Sequence, residues 1–196
     1  RSNIYKIALV GYTNAGKSSL MNLLTNSDVL VKDKLFATLD TTTRKLNIKT
    51  GLNVLISDTV GFIRNIPHDL IASFRTTLSE VNNVDMLLKV FDISSLKINT
   101  HIDTVNNVLT SLDIKDKESI FILNKIDLIK DKQILNGLKN KYKNAIFIST
   151  KDKVGINNLI KSIADIISTK FINHTVFVPY NKTNHINEIY NLTQVL

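Results

Sequence analysis

The 196-residue chain reads as a three-layer α/β domain, with a six-stranded, mostly parallel sheet carrying helices on both faces. Three observations predict it. Strand-like runs over 4–10, 44–49, 53–57, 86–92, 119–124 and 145–148 alternate with helical stretches over 17–25, 67–81, 101–112, 131–142 and 155–170. Strands separated by helices of this length form a parallel sheet covered on both faces. Thr50-Gly51-Leu52-Asn53 is a hairpin signal between two of the runs, so one edge strand is antiparallel. Polar motifs follow the apolar runs directly and so fall at the carboxyl ends of strands, where open α/β sheets bind ligands.

The first run, Ile7 to Val10, leads into Gly11-Tyr12-Thr13-Asn14-Ala15-Gly16-Lys17-Ser18. This fits the phosphate-loop pattern G-x-x-x-x-G-K-[ST] at every fixed position. A phosphate chain needs several backbone N–H groups converging on it, and glycines let the loop approach closely. The helix that follows, with Leu20, Leu23 and Leu24 at periodic spacing, adds its positive dipole end. Lys17 is the candidate for the β- and γ-phosphates, and the Ser18 hydroxyl for Mg²⁺. Gly11, Asn14, Ala15, Gly16 and Ser19 complete the candidate phosphate cradle.

Residues 28 to 43 lack periodicity, as a segment that orders on Mg²⁺ and triphosphate would. After the next two runs comes Asp58-Thr59-Val60-Gly61. Asp58 belongs near the Mg²⁺ shell, and the Gly61 N–H can approach the γ-phosphate and sense its presence. Pro67 opens the following helix, with Asp69 complementing its dipole. A catalytic role for His68 is the alternative. Arg64 and Arg75 are equally well surface cations or contacts to phosphate or RNA.

The fifth run, Ile120 to Leu123, ends in Asn124-Lys125-Ile126-Asp127. The Asp127 carboxylate can accept two hydrogen bonds from guanine, at N1–H and the 2-amino group. Adenine has no donor at either position, so a buried carboxylate there would stay unpaired. Such polar pockets reject the analogue lacking the partner by roughly 10⁴. Ser149-Thr150-Lys151 follows the sixth run, and its backbone N–H groups are candidates to meet the guanine oxygen. Together these motifs specify the P-loop GTPase (Ras-like) form of the three-layer fold.

The segments Leu35-Phe36-Ala37-Thr38-Leu39-Asp40 and Asp58 to Arg64 through Pro67-His68-Asp69-Leu70 strongly resemble the HflX family of translational GTPases. The phosphate loop G-Y-T-N-A-G-K-S is similar to that family's form, and the resemblance spans about residues 4 to 170. It implies an enzyme that converts GTP to GDP and binds the large ribosomal subunit and its rRNA, dissociating or rescuing stalled ribosomes. It also implies that Thr38, beside Phe36 and Ala37, ligates Mg²⁺ in the triphosphate state. On the residues alone Thr38, Thr41, Thr42 and Thr43 stay equal candidates. The implied metal set is Ser18, Thr38 and Asp58, and the implied catalytic set is Lys17, Thr38 and Gly61. The family usually carries proline where this chain has Thr41, which removes a fixed φ from the loop.

Phe62 follows Gly61, where many GTPases carry a water-orienting glutamine, so intrinsic hydrolysis is expected to be slow. Asn14 occupies the position through which some GTPases coordinate K⁺. A hydrogen bond within the loop is the alternative. A GTP-gated binding switch with negligible hydrolysis is a second reading of the chain. A related GTPase of ribosome assembly or tRNA modification is a third.

Composition sets the remaining bounds. The net charge is +8, there are no cysteines and the four histidines are scattered, so disulfides and cysteine-based zinc sites are excluded. Lys130, Lys132, Lys139, Lys141 and Lys143 gather around one helix and read as its solvated face. No apolar run is long enough for a membrane span, and a cytoplasmic monomer is expected. The chain starts at Arg1 and reads as a fragment lacking the family's N-terminal domain. Residues 1–171 form the GTPase domain. Residues 172–196, with a strand over Thr175 to Val178 and an amphipathic stretch around Ile186, start or constitute a C-terminal subdomain.

Overall fold

The computed structural model describes residues 4–25, 42–48, 53–58, 80–114, 116–170, 175–179 and 186. Six strands form one sheet: β1 (Tyr5–Gly11), β2 (Thr42–Asn47), β3 (Asn53–Asp58), β4 (Met86–Asp92), β5 (Ser119–Asn124) and β6 (Ala145–Phe147). Among the described residues four α-helices accompany them: α1 (Lys17–Thr25), α2 (Ile98–Ser111), α3 (Lys132–Lys141) and α4 (Ile156–Ser168). The strand order is β2-β3-β1-β4-β5-β6. Every pairing is parallel except β2 with β3, which is antiparallel from Thr42↔Asp58 to Asn47↔Asn53. The α/β class, the mostly parallel sheet and the antiparallel edge hairpin are therefore as the sequence predicts.

Strand side chains alternate between two faces, and the core follows that alternation. Ile7, Leu9, Met86, Leu88, Val90, Ile120 and Ile122 meet Leu20, Met21 and Leu24 of α1 and Leu159, Ile163 and Ile167 of α4. Ala8, Val10, Leu87, Phe91 and Leu123 meet Val105 and Leu109 of α2, with Leu138 of α3 at the margin. Strands covered on both sides explain why these runs are continuously apolar rather than alternating. Leu159, Ile163 and Ile167, four residues apart, put one stripe of α4 on the sheet. Fully burying each such side chain contributes about 1.5–3 kcal/mol.

Lys89 is the one charged residue within β4's central run. It lies half-buried toward α2 and donates to Asn106 Oδ1 at 3.4 Å. Burial lowers its pKa. The lysines around α3 are exposed, as a solvated face requires.

Two expectations shift and a third lies mostly outside the described residues. Thr42 and Thr43, placed by sequence in the aperiodic segment, belong to β2, where a Thr43–Ser57 hydroxyl hydrogen bond of 2.8 Å extends the pairing. The helix expected over 67–81 lies outside the described residues except at its end, where Glu80–Asn83 is a 3₁₀ turn. The strand expected over Thr175 to Val178 is not formed. The segment has no pairing partner among the described residues, and Val176 and Phe177 are exposed. The amphipathic stretch beyond it lies, apart from Ile186, outside the described residues.

Candidate functional site

The sheet places its polar strand ends along one edge. The chain runs from β1 through α1 and β2 to β3 on one side of β1 and then crosses to β4 on the other, so β1 ends at the switch point where open α/β sheets form a crevice. Parallel register then aligns the tips: Leu9 beside Asp58, Gly11 beside Val90 and Asp92 beside Asn124. Gly11 must be a glycine because a β-carbon there would overlap the Val90 carbonyl oxygen.

The phosphate loop turns from β1 into α1 through two residues in the left-handed region, Asn14 at φ 60° and Gly16 at φ 92°. A β-carbon on Gly16 would run into the Asn124 amide nitrogen. The first turn of α1 points its N–H groups out of the helix end, where an anion is favoured. Lys17 is buried beneath this loop and donates from Nζ to the Gly11 and Tyr12 carbonyls, each at 3.3 Å. Burial pulls its pKa from 10.5 to about 8, against the opposing pull of Asp58, so the side chain is still cationic at neutral pH.

Ser18 Oγ donates to Asp58 Oδ2 at 2.6 Å. A hydroxyl and a buried carboxylate meeting at the mouth of a phosphate loop are hard oxygen donors, the chemistry Mg²⁺ selects. Among the described residues no group of three or more His, Cys, Asp or Glu could hold a metal; Ser18 and Asp58 are the two members of the expected metal set that are described. Phe36, Ala37, Thr38 and Gly61 lie outside the described residues, as do Phe62, Arg64, His68 and Arg75.

Asn14 is exposed, and its side chain makes no hydrogen bond among the described residues. Its φ of 60° explains an asparagine at this position through backbone tolerance alone. The within-loop hydrogen bond of the sequence reading is absent from the described contacts.

Asn124 is fully buried and its amide is engaged within the protein. Nδ2 donates to the Ala15 carbonyl at 2.9 Å and to Thr150 Oγ1 at 3.3 Å, while Oδ1 accepts from the Thr150 N–H at 3.1 Å. As part of the Asn124-Lys125-Ile126-Asp127 motif, Asn124 and Lys125 are candidate nucleotide-binding residues. In the structure Asn124 braces the phosphate loop against the loop after β6, with both amide hydrogens and one acceptor site of Oδ1 engaged by protein.

Asp127 lies in the 3₁₀ turn Ile126–Leu128 and is half-buried, less enclosed than the sequence argument assumed. Ser149, itself fully buried, donates its hydroxyl to Asp127 Oδ1 at 2.6 Å and accepts from the Asp152 N–H at 3.0 Å. The Ile126 N–H donates to the Ile148 carbonyl at 3.2 Å and joins the two loops again. Of the Ser149-Thr150-Lys151 N–H groups, the first two are already committed, to Val154 and to Asn124. Lys151 is exposed.

Sequence reasoning missed two participants. Asp92 ends β4 and pairs through Oδ2 with Lys125 Nζ at 2.8 Å. It closes an apolar run at the same sheet edge as Asp58 and Asn124, a position that could have singled it out. His101 of α2 stacks on Tyr12 of the phosphate loop, with centroids 3.9 Å apart and planes 10° from parallel. No local pattern announces that contact, because the partners lie on separate elements.

Comparison with known proteins places this geometry. Residues 6–125 match the family described as 50S ribosome-binding GTPase. The chain is similar to the GTPase HflX of Caldanaerobacter subterraneus subsp. tengcongensis, 42% identical over 187 residues, which are 95% of this chain and 42% of that protein. It is also similar to the GTPase HflX of Escherichia coli, 36% identical over 181 residues, 91% of this chain and 42% of that one. The resemblance expected from the sequence is therefore found across nearly the whole chain, while the chain spans less than half of those relatives' length. The crystal structure of a GTP-binding protein from Sulfolobus solfataricus in complex with GDP superposes with a TM-score of 0.63 at 27% identity, over 85% of this chain and 53% of that one.

Proposed function

The chain belongs to the 50S ribosome-binding GTPase family, and from that premise we propose that it is the Mg²⁺-dependent GTP-binding and GTP-hydrolysing domain of an HflX-like factor. The observation that carries the reading is the Asn124 brace, which joins the phosphate loop at Ala15 to the loop that supports Asp127. One buried amide thereby fixes the two ends of a nucleotide site relative to each other.

In this reading the Lys17 ammonium balances charge on the β- and γ-phosphates, and the loop N–H groups hold their oxygens. Ser18 and Asp58, with Thr38, would hold Mg²⁺, whose chemistry is to neutralise charge developing on the phosphates. Asp127 accepts from the guanine edge, with Ser149 fixing its carboxylate. Lys125 and Lys151 flank the base. Thr38 and the Gly61 N–H close on the γ-phosphate and help position an attacking water in line, releasing GDP and phosphate.

The domain reading is residues 1–171 for nucleotide and 172–196 for a further subdomain. The partner reading is a monomer acting in the cytoplasm on the large ribosomal subunit. No helix among the described residues is long and apolar enough to cross a membrane. The family description, 50S ribosome-binding GTPase, supports ribosome binding, and a role in splitting or rescuing ribosomes is what the resemblance to the HflX family implies. Phe62 in place of a water-orienting glutamine favours a second reading, a GTP-gated switch that barely hydrolyses alone. Single-turnover hydrolysis with and without ribosomes, in K⁺ and in Na⁺ buffers, separates the two and tests a K⁺ role for Asn14.

The deciding experiment measures GTP, GDP and ATP binding to wild type and to Asp127→Asn. Guanine nucleotides should bind in preference to ATP. The substitution should weaken them by at least ~10²-fold, since a charge-assisted donor pair is lost. Unchanged guanine affinity would contradict the assignment.

A further inference from the structure

Asp92 closes β4 opposite Asn124, its register partner on β5. The strands stay joined past this point, because the Ile93 N–H donates to the Asn124 carbonyl at 3.0 Å. Each carboxylate oxygen of Asp92 has a separate partner. Oδ1 accepts from the Ser94 N–H at 2.9 Å and also from the Ser94 hydroxyl. Oδ2 is left to face Lys125 Nζ at 2.8 Å. The carboxylate is thus oriented by its own loop before the lysine arrives.

Lys125 sits at φ 67°, a conformation that residues with a β-carbon seldom adopt. Its side chain is otherwise a flexible four-carbon stem with a compact charge at the tip. Fixed at its backbone by the loop and at its tip by Asp92, that stem becomes a defined apolar strip between Asn124 and Asp127 in sequence. Ion pairs on open surfaces contribute little because water screens them and side-chain entropy opposes them. This one is 30% and 20% exposed, and the acidic partner is already immobilised.

We propose that Asp92 is a positioning residue for the bound guanine nucleotide: by holding the Lys125 ammonium it sets the lysine stem as one wall of the base slot. The proposal rests on the nucleotide reading above and adds a residue to it. Pre-ordering the stem removes a cost that nucleotide binding would otherwise meet. It therefore slows nucleotide escape.

The test is dissociation of a fluorescent GDP from wild type, Asp92→Asn, Asp92→Glu, Lys125→Met and the Asp92→Asn/Lys125→Met double variant. Asp92→Asn should speed release roughly 10-fold, the scale of a lost hydrogen bond to a charged group. Lys125→Met should speed it at least as much, and the double variant no more than Lys125→Met alone. Asp92→Glu, which keeps the charge, should recover part of the wild-type rate. A purely structural Asp92 would give effects that multiply with those of Lys125→Met, and that result, or an unchanged rate in Asp92→Asn, overturns the proposal. Should Asp92→Asn fail to fold, release from Lys125→Met at the wild-type rate would overturn it equally. Absence of GDP binding by wild type would remove the nucleotide reading itself, which is a separate failure.

Discussion

Asn124 reaches Ala15 across 109 positions of sequence, its Nδ2 donating to the Ala15 carbonyl at 2.9 Å. The same amide takes the Thr150 N–H on its other side. Three loops from three strand ends thus share one fully buried side chain. The phosphate loop cannot move relative to the Asp127–Ser149 pair without breaking a buried hydrogen bond, and that rigidity suits a site that must grip both ends of one ligand.

Replacing Asn124 by Ala should destabilise the nucleotide-free protein. The Ala15 carbonyl and the Thr150 N–H would lose buried partners, at a cost of about 2–4 kcal/mol in total. For a chain of this size that corresponds to a melting temperature lower by roughly 5–15 °C. Calorimetry without nucleotide checks it. An unchanged melting point would show that water replaces the brace.

Gly16→Ala attacks the same contact from the other side. The residue sits at φ 92°, and its new β-carbon would displace the Asn124 amide nitrogen. The conformational cost alone is about 1–2 kcal/mol. Because the two changes destroy one contact, Gly16→Ala and Asn124→Ala combined should cost less than their sum. Gly11→Ala differs, since it meets the Val90 backbone and no side-chain truncation can relieve it. Denaturant unfolding of the four variants reads this, and strict additivity at Gly16 would contradict the shared contact.

Ser149→Ala should change selectivity more than stability. The hydroxyl fixes Asp127 Oδ1 at 2.6 Å and accepts from the Asp152 N–H. Without it the carboxylate can rotate and the loop loses an internal tie. GTP and GDP affinities should fall about 10-fold, while ATP binding stays unchanged. Calorimetric titration with the three nucleotides decides, and an equal loss for ATP would point to general loosening instead.

The fold was legible because its signals are local. Runs such as Ile7 to Val10 and Ile120 to Leu123 are apolar throughout, and the sheet buries both of their faces. The hairpin between β2 and β3 carried its own turn residues. The site was legible as motifs but less so as roles. The bracing role of Asn124 could not be read from its motif, because its partners, Ala15 and Thr150, are far away in sequence. Asp127's half-burial likewise depends on what the fold brings beside it. Asp92 escaped notice because a single carboxylate after an apolar run acquires meaning only once Lys125 is seen 2.8 Å away.

Burial of His101, whose ring stacks on Tyr12, predicts a pH dependence of stability whose sign can be worked out. Burial holds the imidazole below the ordinary histidine value of 6.5, Asp92 at the end of β4 opposes this, and Lys97 before α2 adds to it. Among the described residues, Tyr12 of the phosphate loop also faces the ring. The folded state thus binds a proton less readily than the unfolded chain, so stability from this residue is fully present above pH 6.5 and is lost as pH falls through the folded value. His101→Phe keeps an aromatic ring against Tyr12 and removes the titration. Melting curves from about pH 5 to pH 8 should show wild type losing more stability on acidification than His101→Phe, with the two converging in slope at the upper end. Parallel curves throughout, or a steeper loss in His101→Phe, would mean that the imidazole does not titrate against folding.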